Sequence, residues 1–217
     1  MQELKGRPGH NAGKRFPAEA LTPDEVHRLV QGTRGGWNGD RTRALIAVLY
    51  RAGLRLSEAL ALRPADIDLP NGSIRVLKGK GRKARTVGID PGGLLYLERW
   101  LTTRRTVDLP KSAQLFCSRD GAPWTPQAAR ATIARTAKAT GLQKRVHPHG
   151  LRHSHAALLS LSNVPVALIQ RQLGHSSLAT TSRYLDHLAP TQVIAAVHAV
   201  NFNASPTSSE EATPTAA

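Results

Sequence analysis

One stretch of the chain constrains its fold more than any other. Residues 73–89, "SIRVLKGKGRKARTVGI", alternate β-branched and basic side chains on both sides of a glycine-rich centre. This pattern is typical of a β-hairpin, whereas the sequence on either side has helical spacing. We therefore expect a mainly α fold with a small antiparallel β-sheet, of the α+β class.

The signals for helix ends support this interpretation. Thr22 is a predicted N-cap, Pro23 suits the first helical position, and Glu25 completes a capping box. A short strand is predicted at "QLFCS", followed by a turn at "RDGAPW". Further helices are predicted at "DRTRALIAVLYRAG" (amphipathic, closed by a glycine), "LSEALALR", "PGGLLYLERWLTTRR" and "TPQAARATIARTAKATG", and at about 148–162, 165–173, 177–185 and 190–200.

Composition divides the chain into a folded part and two tails. Residues 1–18 have no apolar period and are predicted to be a flexible basic arm, and residues 203–217 a disordered Ser/Thr/Pro/Glu tail. Residues 19–202 form the predicted domain.

Cys117 is the single cysteine, which excludes disulfides within the chain and cysteine-based zinc sites. Since no apolar run has the length of a membrane span or a signal peptide, we expect a cytoplasmic protein without a membrane partner.

The charge balance indicates a polyanionic partner. The chain has 30 Lys+Arg against 15 Asp+Glu, and no acidic residue lies between Asp120 and Asp186. Two basic regions lack acidic residues, this interval and the hairpin segment 73–89. Such regions are typical of phosphate-contacting surfaces, although a generally basic protein with no nucleic-acid role is the alternative. The candidate DNA-binding residues are Lys78, Arg82, Lys83, Arg85, Arg130, Arg135, Lys144 and Arg145.

Several residues suggest chemistry, but each also has an ordinary explanation. Arg55 and Glu58 have the spacing of a surface ion pair, and Lys80 near the hairpin tip has the position of a solvated turn lysine. His149 and Arg152 are three apart, so on a helix they share a face. Considered singly, none of these motifs is specific.

Taken together, the same residues suit transfer of a DNA phosphodiester. Two guanidiniums can bind the non-bridging phosphate oxygens, and fixed cations can carry the transition-state charge without a metal. A tyrosine such as Tyr184 can serve as nucleophile once nearby cations and a base activate its hydroxyl. His175 lies nine residues before it. A lysine can protonate the leaving oxygen.

Four segments, in this order, resemble the signature boxes of the tyrosine recombinases, the phage integrase family, and are close to its Xer type. They are "AGLRLSEALAL", "KGKGRKARTV", "HPHGLRHSHA" and "LGHSSLATTSRY". The resemblance covers residues 20–200 and implies the family's catalytic-domain fold. It also implies site-specific cleavage and rejoining of double-stranded DNA through a 3′-phosphotyrosyl intermediate. Neither metal, ATP nor any other cofactor or small-molecule substrate is expected, and assembly on DNA would be tetrameric.

The resemblance assigns a role to each matching residue. Tyr184 would be the nucleophile, Arg55 and Arg152 the phosphate clamp, and Lys80 the general acid. His149 would take part in proton transfer from the tyrosine. His175 would donate a hydrogen bond to the phosphate, and Glu58 would support the first arginine.

The sequence departs from the family in one respect. We expect no N-terminal core-binding domain, and the basic arm is hypothesised to compensate in part. The helix around "PTQVIAAVHAV" would dock either on its own subunit or on a neighbour.

Three alternatives to a recombinase active site stay open. They are a type IB topoisomerase-like nicking and closing activity, a non-catalytic DNA-binding relative, and a metal cluster at His147, His149, His153 and His155.

Overall fold

A computed structural model describes residues 20–77 and 84–174 of the chain. The predicted basic arm, the predicted helices after residue 175 and the C-terminal tail lie outside the described residues. So do six of the candidate site residues, Lys78, Lys80, Arg82, Lys83, His175 and Tyr184. The elements in chain order are α1 Pro23–Gln31, α2 Gly36–Tyr50, α3 Leu56–Ala61, a 3-10 turn Pro64–Asp66, β1 Ile67–Asp68, β2 Ser73–Val76, β3 Arg85–Gly88, α4 Pro91–Arg105, α5 Pro126–Ala139, α6 Pro148–Leu161 and α7 Val166–Leu173.

The sheet confirms the predicted hairpin. Strands β2 and β3 pair antiparallel, with Ser73 opposite Gly88 and Val76 opposite Arg85. Ile74 and Val87 are buried on the inner face, as the alternation predicts. The two-residue strand β1 adds a third antiparallel strand that the sequence pattern did not reveal.

Helix α2 lies at the centre of the fold, and this corrects its prediction as an amphipathic helix. It begins at Gly36, four residues before the predicted start, and packs mainly against α4 and α6. Leu45, Ile46 and Leu49 are completely buried. A helix with neighbours on several sides needs no polar face, so helical periodicity alone misjudged it.

The predicted strand at "QLFCS" is wrong, although the segment is buried. Leu115, Phe116 and Cys117 have no exposed surface, yet only an isolated bridge from Cys117 to Pro123 is present. The indole Nε1 of Trp100 donates to the Leu115 carbonyl at 3.0 Å. A short apolar run that fills the core as a loop cannot be distinguished from a strand by hydrophobicity alone.

The predicted capping box of α1 is present. The backbone N–H groups of Glu25 and Thr22 donate to each other's side chains at 3.2 and 2.8 Å. The N–H of Leu21, just before the cap, donates to Ser154 Oγ on α6 at 2.7 Å.

Within residues 20–77 and 84–174, no helix combines the length and apolarity that crossing a membrane requires.

Candidate active site

A cationic cleft of about 520 Å³ opens between the start of α3, helix α5 and the start of α6. Distant parts of the sequence meet here, and none of the described residues that line the cleft carries a carboxylate. Two of its guanidiniums, those of Arg130 and Arg145, form no ion pair among the described residues, so an anion is its natural occupant. Its polar lining residues are Arg55, Ser57, Arg130, Arg145, His147, His149 and Arg152.

Glu58 holds Arg55 at the start of α3. Its carboxylate accepts from the backbone N–H of Arg55 at 2.9 Å and from its Nη1 at 2.8 Å. Glu58 is only 4% exposed, so the pair is not a surface ion pair. A buried carboxylate bonded in this way fixes the guanidinium far more firmly than a solvated partner would.

The same carboxylate also binds Arg85 of β3. Nη1 and Nη2 of Arg85 donate to the two Glu58 oxygens at 3.0 and 2.9 Å, a bidentate arrangement. Arg152 Nη1 lies 3.9 Å from Glu58 Oε2. Burial alone would raise the pKa of Glu58, but the hydrogen bonds from Arg85 and Arg55 outweigh burial and lower the pKa to about 2. Glu58 is therefore ionised throughout the physiological pH range.

These three arginines also bind the end of α7. Each donates to a different carbonyl among three consecutive residues: Arg85 Nε to Gln172 at 3.4 Å, Arg152 Nη2 to Leu173 at 2.6 Å, and Arg55 Nη2 to Gly174 at 3.2 Å. Positive charge at a helix C-terminus is favourable because the last carbonyls have no helical partners. The network therefore links the arginines of the cleft to the residue that immediately precedes His175 in sequence.

Gly174 is required by this close approach. Its φ of +63° is left-handed, and a Cβ there would lie 2.8 Å from the Arg85 guanidinium. The side chain of Arg152 is almost fully buried, with Nη1 donating to the Gly53 carbonyl at 2.5 Å. Both features restrict the network to one arrangement.

His149 lines the cleft from α6, the helix that also carries Arg152. Desolvation, followed by the positive charges of Arg152 and Arg55, lowers the pKa of His149. Its imidazole is therefore predominantly neutral at pH 7 and able to accept a proton.

His147 has a structural role, since its Nδ1 accepts from the Gly150 N–H at 2.8 Å and caps α6. In the described part of the chain, no cluster of His, Cys, Asp or Glu could hold a metal ion.

The candidate DNA-binding residues have different environments. Arg130 and Arg145 line the cleft, and Arg135 lines a second one on another side of α5. The Arg85 guanidinium is bonded to Glu58, and its contact with DNA stays a prediction. Lys144 Nζ is engaged with Glu25 at 3.0 Å and with the Ala20 carbonyl at 3.2 Å. Neither side chain extends freely from the surface.

The sequence interpretation missed Gln172. Its Nε2 donates to the carbonyls of Ala52 and Gly88 at 3.1 and 2.7 Å, and its Oε1 accepts from the Gly88 N–H at 3.0 Å. It thereby fastens α7 to the hairpin and to the segment before Arg55. Its partners are distant in sequence, so no local pattern identified it.

Comparisons with known proteins identify the family of the chain. A sequence model described as the phage integrase family matches residues 19–190. The tyrosine recombinase XerC of Xanthomonas axonopodis pv. citri (strain 306) is 38% identical over 182 residues, which cover 82% of this chain and 58% of XerC. XerC of Alcanivorax borkumensis is 37% identical over 188 residues and is covered over 60% of its length. The chain therefore spans somewhat more than half the length of these relatives.

Solved structures give the same result for the fold. The crystal structure of XerA recombinase matches with a TM-score of 0.73 and 30% identity, covering 88% of this chain and 68% of XerA. The XerH site-specific recombinase bound to its difH substrate matches with a TM-score of 0.70 and 30% identity, over 86% of this chain and 55% of XerH. The predicted α+β catalytic-domain fold is confirmed.

Proposed function

Because this chain belongs to the phage integrase family of tyrosine recombinases, we propose that it cleaves and rejoins DNA strands at specific sites through a 3′-phosphotyrosyl intermediate. The observation that carries the proposal is the network joining Arg55, Arg152 and Glu58 to the end of α7. Two permanently charged guanidiniums are fixed at one cleft, and the chain continues from there to His175 and Tyr184. This is the set of groups that phosphodiester transfer without a metal requires.

Each step of the proposed reaction has a group to perform it. The Tyr184 oxygen attacks phosphorus and forms the 3′-phosphotyrosyl bond while the bond to the 5′-oxygen breaks. Lys80 gives a proton to that leaving oxygen, and neutral His149 accepts the tyrosine proton. Arg55 and Arg152, together with His175, bind the non-bridging oxygens. Attack by a 5′-hydroxyl on the phosphotyrosyl bond then reverses these steps and rejoins a strand, so neither metal nor ATP is needed.

Double-stranded DNA is the proposed partner. The net charge of +15 and the acid-free cleft favour a polyphosphate. Among the structural relatives, XerH was solved bound to its difH substrate, and a Tn1549 transposon integrase in complex with transposon right end DNA. We further propose residues 19–202 as the catalytic domain, assembly as a tetramer on DNA, and a cytoplasmic location. The family match over residues 19–190 supports the domain bounds.

A suicide substrate tests the proposal. A duplex from the DNA flanking the native locus, nicked so that the cleaved fragment diffuses away, should trap the whole chain as a covalent adduct. EDTA should not lower the yield, and mass spectrometry should locate the bond at a 3′-phosphate. A chain that binds the duplex but forms no adduct would contradict the proposal. Relaxation of supercoils without exchange between two sites would favour the topoisomerase alternative.

Lys80 offers a test of the general acid. We expect Lys80→Ala to slow strand cleavage by about 10²-fold or more, the usual contribution of a positioned proton donor. A substrate with a 5′-phosphorothiolate at the scissile position should restore the rate, because a thiolate leaves without protonation. Lys111→Ala, a lysine outside the four boxes, is the matched control. A Lys80→Ala defect that the sulfur substrate does not rescue would exclude this role.

Arg85 offers a test of the network. Lysine keeps the charge but cannot make the bidentate contact to Glu58, so Arg85→Lys should misplace the end of α7 relative to Arg55 and Arg152. We expect single-turnover cleavage to slow by about 10- to 100-fold, while DNA affinity stays nearly unchanged. Arg75→Lys, on the exposed face of β2, is the control. A loss of affinity with an unchanged cleavage rate would instead indicate a direct phosphate contact by Arg85.

A further inference from the structure

A second cationic cleft, of about 370 Å³, lies between the α1–α2 turn, the first half of α2 and helix α5. It shares no residue with the candidate active site. Three guanidiniums line it, those of Arg34, Arg41 and Arg135, together with the side chains of Asn38, Thr132 and Thr136. No carboxylate lines it within residues 20–77 and 84–174.

The sequence "GTRGGWNGDR" builds one wall of this cleft. Gly39 permits the chain to fold back onto α2, because a Cβ at that position would lie 1.5 Å from the Arg34 carbonyl oxygen. The tight turn therefore carries Arg34 to the same cleft as Arg41, although seven positions separate them. Any larger residue at Gly39 would displace Arg34.

The charge in this cleft is uncompensated. In the described part of the chain, none of the three arginines forms a salt bridge, and the nearby Asp40 is bonded to Arg43, Arg99 and Thr103 instead. Arg41 is stacked 4.0 Å over Trp124 and donates to the Cys117 carbonyl. Its Nε is buried without a hydrogen-bond partner among the described residues. Three such guanidiniums around one cavity repel each other unless an anion joins them.

We propose that this cleft is a second phosphate-binding site, which holds a backbone phosphate of the DNA bound at the candidate active site. The inference rests on the proposed function for the source of the phosphate. Guanidiniums bind phosphate oxygens in a bidentate manner, and the amide of Asn38 can donate another hydrogen bond.

Helix α5 connects the two clefts. Arg130 lines the candidate active site and Arg135 lines the second cleft. Five residues along a helix correspond to a rotation of about 140° and a rise of about 7.5 Å. The two arginines therefore flank the exposed surface of α5, where Ala131 and Ala134 keep the helix slim. One duplex lying across α5 can place phosphates of its backbone on both sides.

The salt dependence of DNA binding provides the test. Each neutralised phosphate contributes about 0.9 to the slope of log K against log salt concentration. We expect Arg34→Gln to reduce that slope by about 0.9 on any duplex sequence, and Arg34→Gln/Arg135→Gln to reduce it further. Arg105→Gln, an exposed arginine at the end of α4 that lines neither cleft, should leave the slope unchanged. Thermal unfolding of each variant shows whether it is folded.

Titration with pyrophosphate identifies the source of the phosphate. If Arg34→Gln weakens pyrophosphate binding but leaves the DNA slope intact, the site binds phosphate from a free solute, and the DNA assignment is overturned. If both measurements are unchanged in the two variants, the phosphate site itself is overturned. A chain that shows the expected slopes but forms no covalent adduct contradicts the proposed function and supports the second phosphate site.

Discussion

Tyr184→Phe is expected to bind DNA with unchanged affinity and to form no covalent protein–DNA adduct. The substitution removes only the hydroxyl, so affinity should change by about twofold at most, the usual scale for a change of one small group. The hydroxyl is the proposed attacking group, however, and no other atom of that side chain can form a bond to phosphorus. A phenol ionises near pH 10 in water, so it needs the cationic cleft and a base to react at pH 7.

The other two tyrosines provide the matched controls. Tyr50 is buried in α2, where burial raises the pKa of its hydroxyl, and Tyr96 is half-buried on α4. Both line another cleft, whose described lining residues differ from those of the candidate active site. Tyr96→Phe should therefore yield as much adduct on the suicide substrate as the parent chain. An adduct that persists in Tyr184→Phe would assign the nucleophile to another residue.

Local features of the sequence predicted local features of the structure. The capping box at Thr22, the hairpin within residues 73–89, and the helix capped by Thr125 depend on residues close together in sequence. Propensity and capping act over that distance, so one sequence is enough to predict them. The shared face of His149 and Arg152 is predictable for the same reason.

Features that depend on burial could not be predicted. The Arg55–Glu58 spacing is the same for a weak surface pair and for a buried network. Which of the two forms depends on Arg85, which binds Glu58 from 27 residues further along the chain. Gln172 and the three α7 carbonyls join this network from more than 80 residues further along the chain. The position of α2 inside the fold and the loop conformation of Leu115–Cys117 are likewise consequences of tertiary packing.

Glu58→Gln tests whether this buried network stabilises the fold. The pKa of Glu58 is about 2, below its usual 4.5, so the folded state favours the ionised form. Its stabilisation is therefore complete above pH 4.5 and is lost as the pH falls towards 2. Neutral glutamine leaves the guanidiniums of Arg55 and Arg85 without their counter-charge. We expect the free energy of unfolding at pH 7 to fall by about 3 kcal/mol.

Urea unfolding at pH 7, 4.5 and 3 measures the effect. The parent chain should lose stability steeply over the acid part of this range, and the difference between parent and Glu58→Gln should shrink as the pH falls. Glu98→Gln, an exposed position on α4, should leave both the stability at pH 7 and its acid dependence unchanged. If Glu58→Gln were as stable as the parent at pH 7, the arginines would not depend on this carboxylate. The link between the candidate active site and the end of α7 would then have to rest on the carbonyl contacts alone.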